Sequence, residues 1–181
     1  MRKIVAGLFI SLDGVVEAPE TWHFPYFNEE MGEEVGRQMQ ASDVLLLGRR
    51  TYEEFAAHWP HQDPEKDPMA ARLNAVDKYV VSATLTTPTW QNTTVITGDV
   101  TAELARLKER PGGDISITGS PTLVTALLRD GLLDELNLLL HPIVVGAGKR
   151  LFDGDPGRVP LTLTRSATFA TGVLNLTYTR S

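Results

Sequence analysis

The sequence predicts a mixed α/β fold, a largely parallel sheet with an antiparallel edge, and three features carry that expectation. Short apolar runs alternate with amphipathic segments of helical period as far as about residue 131, and such runs suit strands buried on both faces of a parallel sheet. Helix-opening and helix-closing residues punctuate the alternation. The end of the chain then changes character. Leu161, Leu163, Leu174, Leu176 and Tyr178 alternate with threonines around Ala170-Thr171-Gly172, which reads as an antiparallel hairpin. One domain over residues 1–181 accounts for this pattern, since a chain of 181 residues buries enough core to need no covalent staples.

In order, residues 3–10 form a mostly apolar strand closed by Ser11-Leu12-Asp13-Gly14. The loop that follows is aromatic, with Trp22, Phe24, Tyr26 and Phe27 close together. Such rings cap a core or wall a pocket for a flat ligand. Asn28 caps a helix running to about Ala41, with Met31, Val35 and Met39 on one face. Residues 44–47 (VLLL) are a buried strand, and Gly48-Arg49-Arg50 joins it to a helix beginning near Thr51 and ending near His58. A polar, proline-rich loop, a short helix over 69–75 and strands over 78–82 and 93–97 come next. The helix over 100–110 stops at Pro111-Gly112-Gly113. A strand over 114–118 leads to a helix with Ser120 as N-cap and Pro121 in its first turn, running to about Asp130. Residues 135–145 are a long apolar strand.

A net charge of −6 and a pI near 5.2 argue against general binding to nucleic acid or a membrane surface. There is no cysteine, so disulfides and thiolate chemistry are excluded. No apolar run approaches a membrane span and residues 1–4 (MRKI) lack a signal peptide's apolar core, so the expected location is the cytoplasm. His23, His58, His61 and His141 have no metal-ligand spacing, and no metal is expected. Gly146-Ala147-Gly148-Lys149-Arg150 lacks the Ser or Thr of a Walker A loop.

Chemistry concentrates at three junctions: Leu47-Gly48-Arg49-Arg50-Thr51, Val81-Ser82-Ala83-Thr84 and Thr118-Gly119-Ser120-Pro121-Thr122. Each leaves the carboxyl end of an expected parallel strand, where open α/β sheets bind ligands. Two guanidiniums, several hydroxyls and two helix N-termini suit a pyrophosphate and a further phosphate. Singly, each junction is also an ordinary turn. Asp13, after the first strand, is equally well read as a turn cap or a substrate contact.

At these residues the sequence resembles the dihydrofolate reductase-like superfamily, and most closely the C-terminal reductase domain of the bifunctional riboflavin-pathway deaminase/reductase. The likeness rests on Ser11-Leu12-Asp13-Gly14, Leu47 to Glu53, Val81-Ser82, Thr118-Gly119-Ser120, Asp134-Glu135-Leu136, and His141-Pro142 through Gly146 to Phe152. It implies a three-layer α/β/α fold and an NADPH-dependent reductase of a small heterocycle. By the same resemblance Gly48, Arg49, Arg50 and Thr51 hold cofactor phosphates and approach the nicotinamide. Ser82 and Thr84 meet the 2′-phosphate, Gly119, Ser120, Thr122 and Leu123 cover the pyrophosphate and nicotinamide side, and Ala6 lies near the carboxamide. Trp22, Phe24, Phe27, Tyr52 and Asp13 wall the substrate, and related domains often form homodimers through the 135–145 strand and the hairpin.

Two departures stand out. The stretch matching the family's buried acid motif is Thr21-Trp22-His23-Phe24-Pro25-Tyr26-Phe27, with Phe27 in the acid position. The riboflavin-pathway Asp-Asp-Pro is replaced by Glu53-Glu54-Phe55. Glu30 and Asp13 are then the carboxylates available to supply a proton. Dihydrofolate reductase activity, a non-catalytic nucleotide-binding module and a flavin enzyme are the competing readings.

Overall fold

The computed structural model describes residues 1–154 and 157–181. Among these, eight strands form one sheet in the order β4-β3-β2-β5-β1-β6-β8-β7. The strands are β1 (Ile4–Ser11), β2 (Ser42–Gly48), β3 (Asp77–Val81), β4 (Thr93–Ile96), β5 (Asp114–Ile117), β6 (Glu135–His141), β7 (Leu161–Thr168) and β8 (Leu174–Arg180). The helices are α1 (Glu29–Ala41), α2 (Arg49–His58), α3 (Pro68–Ala75), α4 (Val100–Glu109) and α5 (Pro121–Arg129). The first six strands pair in parallel, and only β8 runs the other way, antiparallel to both β6 and the edge strand β7. The expected parallel sheet with a C-terminal antiparallel hairpin is therefore the fold observed.

Strand register explains the three layers. Ile4, Val44 and Ile115 lie in one row across β1, β2 and β5, and they are buried together with Leu104 and Leu107 of α4 and Val124, Leu127 and Leu128 of α5. The alternate residues face the other way: Leu45 and Leu47 pack with Tyr52 of α2 and Leu73 of α3, and Phe9 and Leu139 pack under Met31 of α1. Because both faces are covered, central strands such as VLLL read as continuous apolar runs rather than alternating ones.

Two boundaries differ from expectation. α2 begins at Arg49, two residues early, because Gly48 is extended and itself serves as the N-cap. The 135–145 strand stops at His141, since Pro142 has no N–H to continue the ladder.

Lys78 breaks the pattern of an apolar interior. It is fully enclosed, donates to the carbonyls of Val76 (2.7 Å) and Asn74 (3.3 Å) and sits 4.4 Å from the Trp90 ring centre. Burial pushes its ammonium from 10.5 down to about 8. The folded state therefore binds fewer protons than the unfolded chain between those values, and stability rises with pH through that window. By pH 9.5 the gain over neutral pH should be roughly 2 kcal/mol. Urea unfolding followed from pH 7 to 9.5 should show this rise in the wild type and a flat line in Lys78→Met.

Candidate functional site

Parallel pairing brings the carboxyl ends of β1, β2, β3, β5 and β6 to one edge of the sheet. β2 and β5 are neighbours there, so the loops after them touch. The Gly48 N–H donates to Ser120 Oγ (2.8 Å), and the Ser120 hydroxyl donates to Thr51 Oγ1 (2.8 Å). A side chain on Gly48 would meet Ser120 Oγ at 3.0 Å, and one on Gly119 would meet Thr51 Cγ2 at 3.2 Å. Both glycines are therefore close-approach positions, and Gly119 also has a φ of +99°.

Ser120 stands at the N-cap position of α5, as expected, but its side chain does not cap: its φ is 56° and its ψ 62°, with no bond from its side chain to the helix it precedes. A left-handed non-glycine residue costs roughly 1–2 kcal/mol. Here the strain turns the hydroxyl across to the neighbouring loop, where it ties Gly48 to Thr51.

α2 and α5 start from this knot, and their first-turn N–H groups have no carbonyl of their own helix to reach. The two arginines differ. Arg49 holds both oxygens of Glu53 at 2.9 Å, so its charge already has a partner. Arg50 is exposed and has no ion-pair partner among the described residues. Lys149, from the loop after β6, adds a cation by donating to Thr122 Oγ1 (2.7 Å).

The other expected cofactor contacts are less direct. Ser82 lies at the same edge, but its Oγ already accepts from the N–H groups of Thr84 and Leu85 (3.1 and 2.9 Å). It closes a turn, and of the two expected hydroxyl residues Thr84 alone is exposed. Ala6 is fully buried in the α4–α5 core and Leu123 is also packed there, so neither side chain is presented to a ligand. Tyr52 is removed from the substrate wall altogether. It is 2% exposed, and its hydroxyl accepts from Thr89 N–H and Trp90 N–H (both 3.0 Å), pinning the loop before β4.

On the substrate side, both expected proton donors are committed elsewhere. Asp13 accepts from the Ser11 hydroxyl (2.7 Å) and from the N–H groups of Val145 (3.0 Å) and Gly146 (2.8 Å). Those bonds, the Ser11 hydroxyl foremost, hold its carboxyl well below the usual carboxylate range. It therefore carries no proton to give near neutrality and acts as the anchor of the 143–146 loop. Glu30 accepts from Asn28 Nδ2 (2.8 Å) and Ala170 N–H (2.7 Å), which ties the start of α1 to the hairpin turn rather than aiming an acid at the sheet edge.

The aromatic loop does gather over the ends of β1 and β6. Trp22 is buried, while Phe24 and Phe27 keep 63% and 50% of their surface exposed, enough for both to meet an incoming ring. His23 stacks on Phe9 (4.6 Å between centres, 12° between planes) and lies 4.2 Å from Phe24. His141, fully buried, presents its ring to the edges of Trp22, Phe9 and Tyr26 at 5.2, 5.6 and 5.8 Å.

The family model of the RibD C-terminal domain matches residues 2–175. The chain belongs to that family. The Bacillus subtilis (strain 168) protein YyaP, itself described as uncharacterized, is 30% identical over 182 residues, covering 98% of this chain and 94% of YyaP. A Shewanella sp. PV-4 protein, whose name assigns it provisionally to riboflavin biosynthesis, superposes with a TM-score of 0.78 at 20% identity, covering 100% of this chain and 99% of that one. Dihydrofolate reductase from Enterococcus faecalis, complexed with NADP(H) and RAB-propyl, superposes with a TM-score of 0.65 at 14% identity over 99% and 96% of the two chains. The fold of this RibD C-terminal family member is thus dihydrofolate reductase-like.

Sequence reasoning missed three groups on the α1 side of this RibD-type sheet. Glu34 is 7% exposed and accepts from Arg37, Gln38 and Arg165 (2.6, 2.7 and 2.7 Å). Burial opposes its charge, yet the three donors outweigh it and lower the carboxyl from 4.5 to about 2. The other two are His23 and His141, set aside as non-ligands of a metal. Burial first, and for His23 also its neighbour His141, lowers both imidazoles, against the carbonyls of Leu139 and Ile10 in the case of His141. Glu34 falls on the buried face of α1 between Met31 and Gln38, a spacing the helical period contains. Nothing local marks the histidines.

Proposed function

We propose that this chain is a cytoplasmic NADPH-dependent reductase that passes hydride to a small flat heterocycle, pterin-like or aminopyrimidine-like, of the 5-amino-6-(5-phosphoribosylamino)uracil reductase type. The observation that carries this reading is the knot of Gly48, Thr51 and Ser120, which sets two helix N-termini side by side with Arg50 and Lys149 at the rim. Free N–H groups, and cations with no counter-charge among the described residues, suit a pyrophosphate and a further phosphate. The Enterococcus faecalis reductase with which the chain shares its fold is a complex with NADP(H). The nicotinamide supplies the hydride when bound, and this chain's residues supply position. Phe9 and the Trp22–Phe27 loop exclude water on the substrate side, and the sheet edge holds donor and acceptor together. With Asp13 and Glu30 engaged, the proton comes from solvent or from the substrate itself.

The whole of residues 1–181 acts as one unit in this reading, and a homodimer forms along the hairpin. β7 is the outermost strand and almost wholly exposed, so it offers unpaired backbone to a second copy.

NADPH consumption across a panel of pterins, aminouracil ribosides and quinoid compounds tests the activity. Turnover of at least one heterocycle is expected. Saturable NADPH binding with no turnover on any of them would favour the second reading, a nucleotide-binding module without catalysis. The carboxylate-free Phe27 position is the observation on that side.

A further inference from the structure

His141 and His23 are the polar groups the proposed chemistry leaves unused, and they sit where its substrate would lie. His141 Nδ1 is 2.7 Å from the carbonyl oxygen of Leu139. A carbonyl only accepts, so Nδ1 carries the proton and Nε2 is a bare acceptor. That nitrogen is buried with no hydrogen-bond partner among the described residues, and so is Nδ1 of His23. An unpaired buried acceptor is costly and needs an explanation.

The surroundings supply one. The His23 ring, a flat nitrogen heterocycle, is stacked parallel to Phe9 and lies close under Phe24, with its centre 6.1 Å from that of His141. Phe9 is on β1, opposite Leu139 of β6 and three residues beyond Ala6, which pairs with Ile117 at the end of β5 where the chain leads on to Gly119 and Ser120. The slot above Phe9 therefore adjoins the edge assigned to the cofactor. The loop that places His23 there is held mainly by its own short-range turns and a bond from Trp22 Nε1 to the Glu17 carbonyl (3.2 Å), with one long contact to the rest of the fold, from the Tyr26 hydroxyl to the Pro142 carbonyl (3.5 Å).

We propose that His23 occupies the substrate's own slot on Phe9, that a planar nitrogen heterocycle displaces it, and that His141 Nε2 accepts a hydrogen bond from a ring N–H of that heterocycle. This rests on the reductase reading for the neighbouring cofactor, and it narrows the substrate class. A ring with an N–H aimed at His141 is selected, and one alkylated at that nitrogen is rejected. His141 is then a specificity-determining residue, and His23 is an internal competitor.

The test uses the full chain saturated with NADPH, with a pteridine carrying a ring N–H and its N-methylated counterpart as probes, binding being followed by tryptophan fluorescence. Wild type should prefer the N–H form. His141→Phe, which keeps the ring and loses the acceptor, should weaken the N–H form about tenfold or more and leave the N-methyl form and NADPH unchanged. His23→Ala should tighten the N–H form several-fold, and this variant decides the matter even if His141→Phe fails to fold. An unchanged preference in His141→Phe, weaker binding in His23→Ala, or a wild type that binds NADPH but neither pteridine would overturn the proposal and leave the cofactor reading intact. Failure to bind NADPH, with the pteridine preference preserved, would overturn the cofactor reading alone.

Discussion

Ser120→Ala should weaken NADPH binding by about 10- to 100-fold, the cost of losing a hydrogen-bonded partner of a part-buried N–H. The substitution touches no ligand atom by itself. It frees Gly48 and Thr51 from the oxygen that holds them, so two loops that are preformed in the wild type would have to be ordered on binding. Alanine also keeps the left-handed strain at φ 56° without the bonds that offset it, and the fold should lose about 1–2 kcal/mol as well. Ser120→Gly separates the two effects. Glycine relieves the strain and restores most of the stability, yet without the hydroxyl its NADPH binding should stay weak. Titrations and urea unfolding on the three proteins check this. Equal binding in all three would show that the knot has no part in holding the cofactor.

The second large effect concerns Glu34. Its carboxyl is lowered from 4.5 to about 2 in the folded chain, so the folded state releases the proton more readily than the unfolded one. The stabilisation is fully present above 4.5 and is lost as the pH falls through about 2, with a total of roughly 3 kcal/mol. Glu34→Gln cannot titrate. Its stability should lie below that of the wild type at pH 7, and the gap should close as the pH approaches 2. Urea midpoints across pH 2–7 measure it, and a gap independent of pH would assign the loss to packing alone. Because Glu34 links α1 to Arg165 of β7 (2.7 Å), the same variant should loosen the helix that roofs the substrate side.

The fold was legible in the sequence because its signals are local. The VLLL run, the Asn28 cap and the Pro121 helix start each report on a few neighbouring residues, and parallel order follows from their alternation. The convergence of the Gly48 and Gly119 junctions followed from the rule that ligands gather at strand carboxyl ends. What escaped depends on contacts between distant residues. Ser120 does stand at the N-cap position before Pro121, but the partner of its hydroxyl, Gly48, is 72 positions away. Tyr52 looked like a pocket residue because it follows the arginines, but its hydroxyl is taken by N–H groups at 89 and 90. Asp13 and Glu30 read as acids from their positions in sequence, whereas each is occupied by a local donor, Ser11 or Asn28, together with distant N–H groups of the 143–146 loop or the hairpin turn. Glu34 and His141 matter because of what the sheet places against them, and no spacing in the chain encodes that.

The central claim is that the Gly48–Thr51–Ser120 edge binds NADPH through its phosphates, and nicotinamide fluorescence measures it most directly. Titration of the purified protein should give saturable binding at submillimolar NADPH, and Arg50→Ala should weaken it about tenfold by removing a charge-assisted contact. No binding in that range, or binding indifferent to Arg50→Ala, would contradict the account.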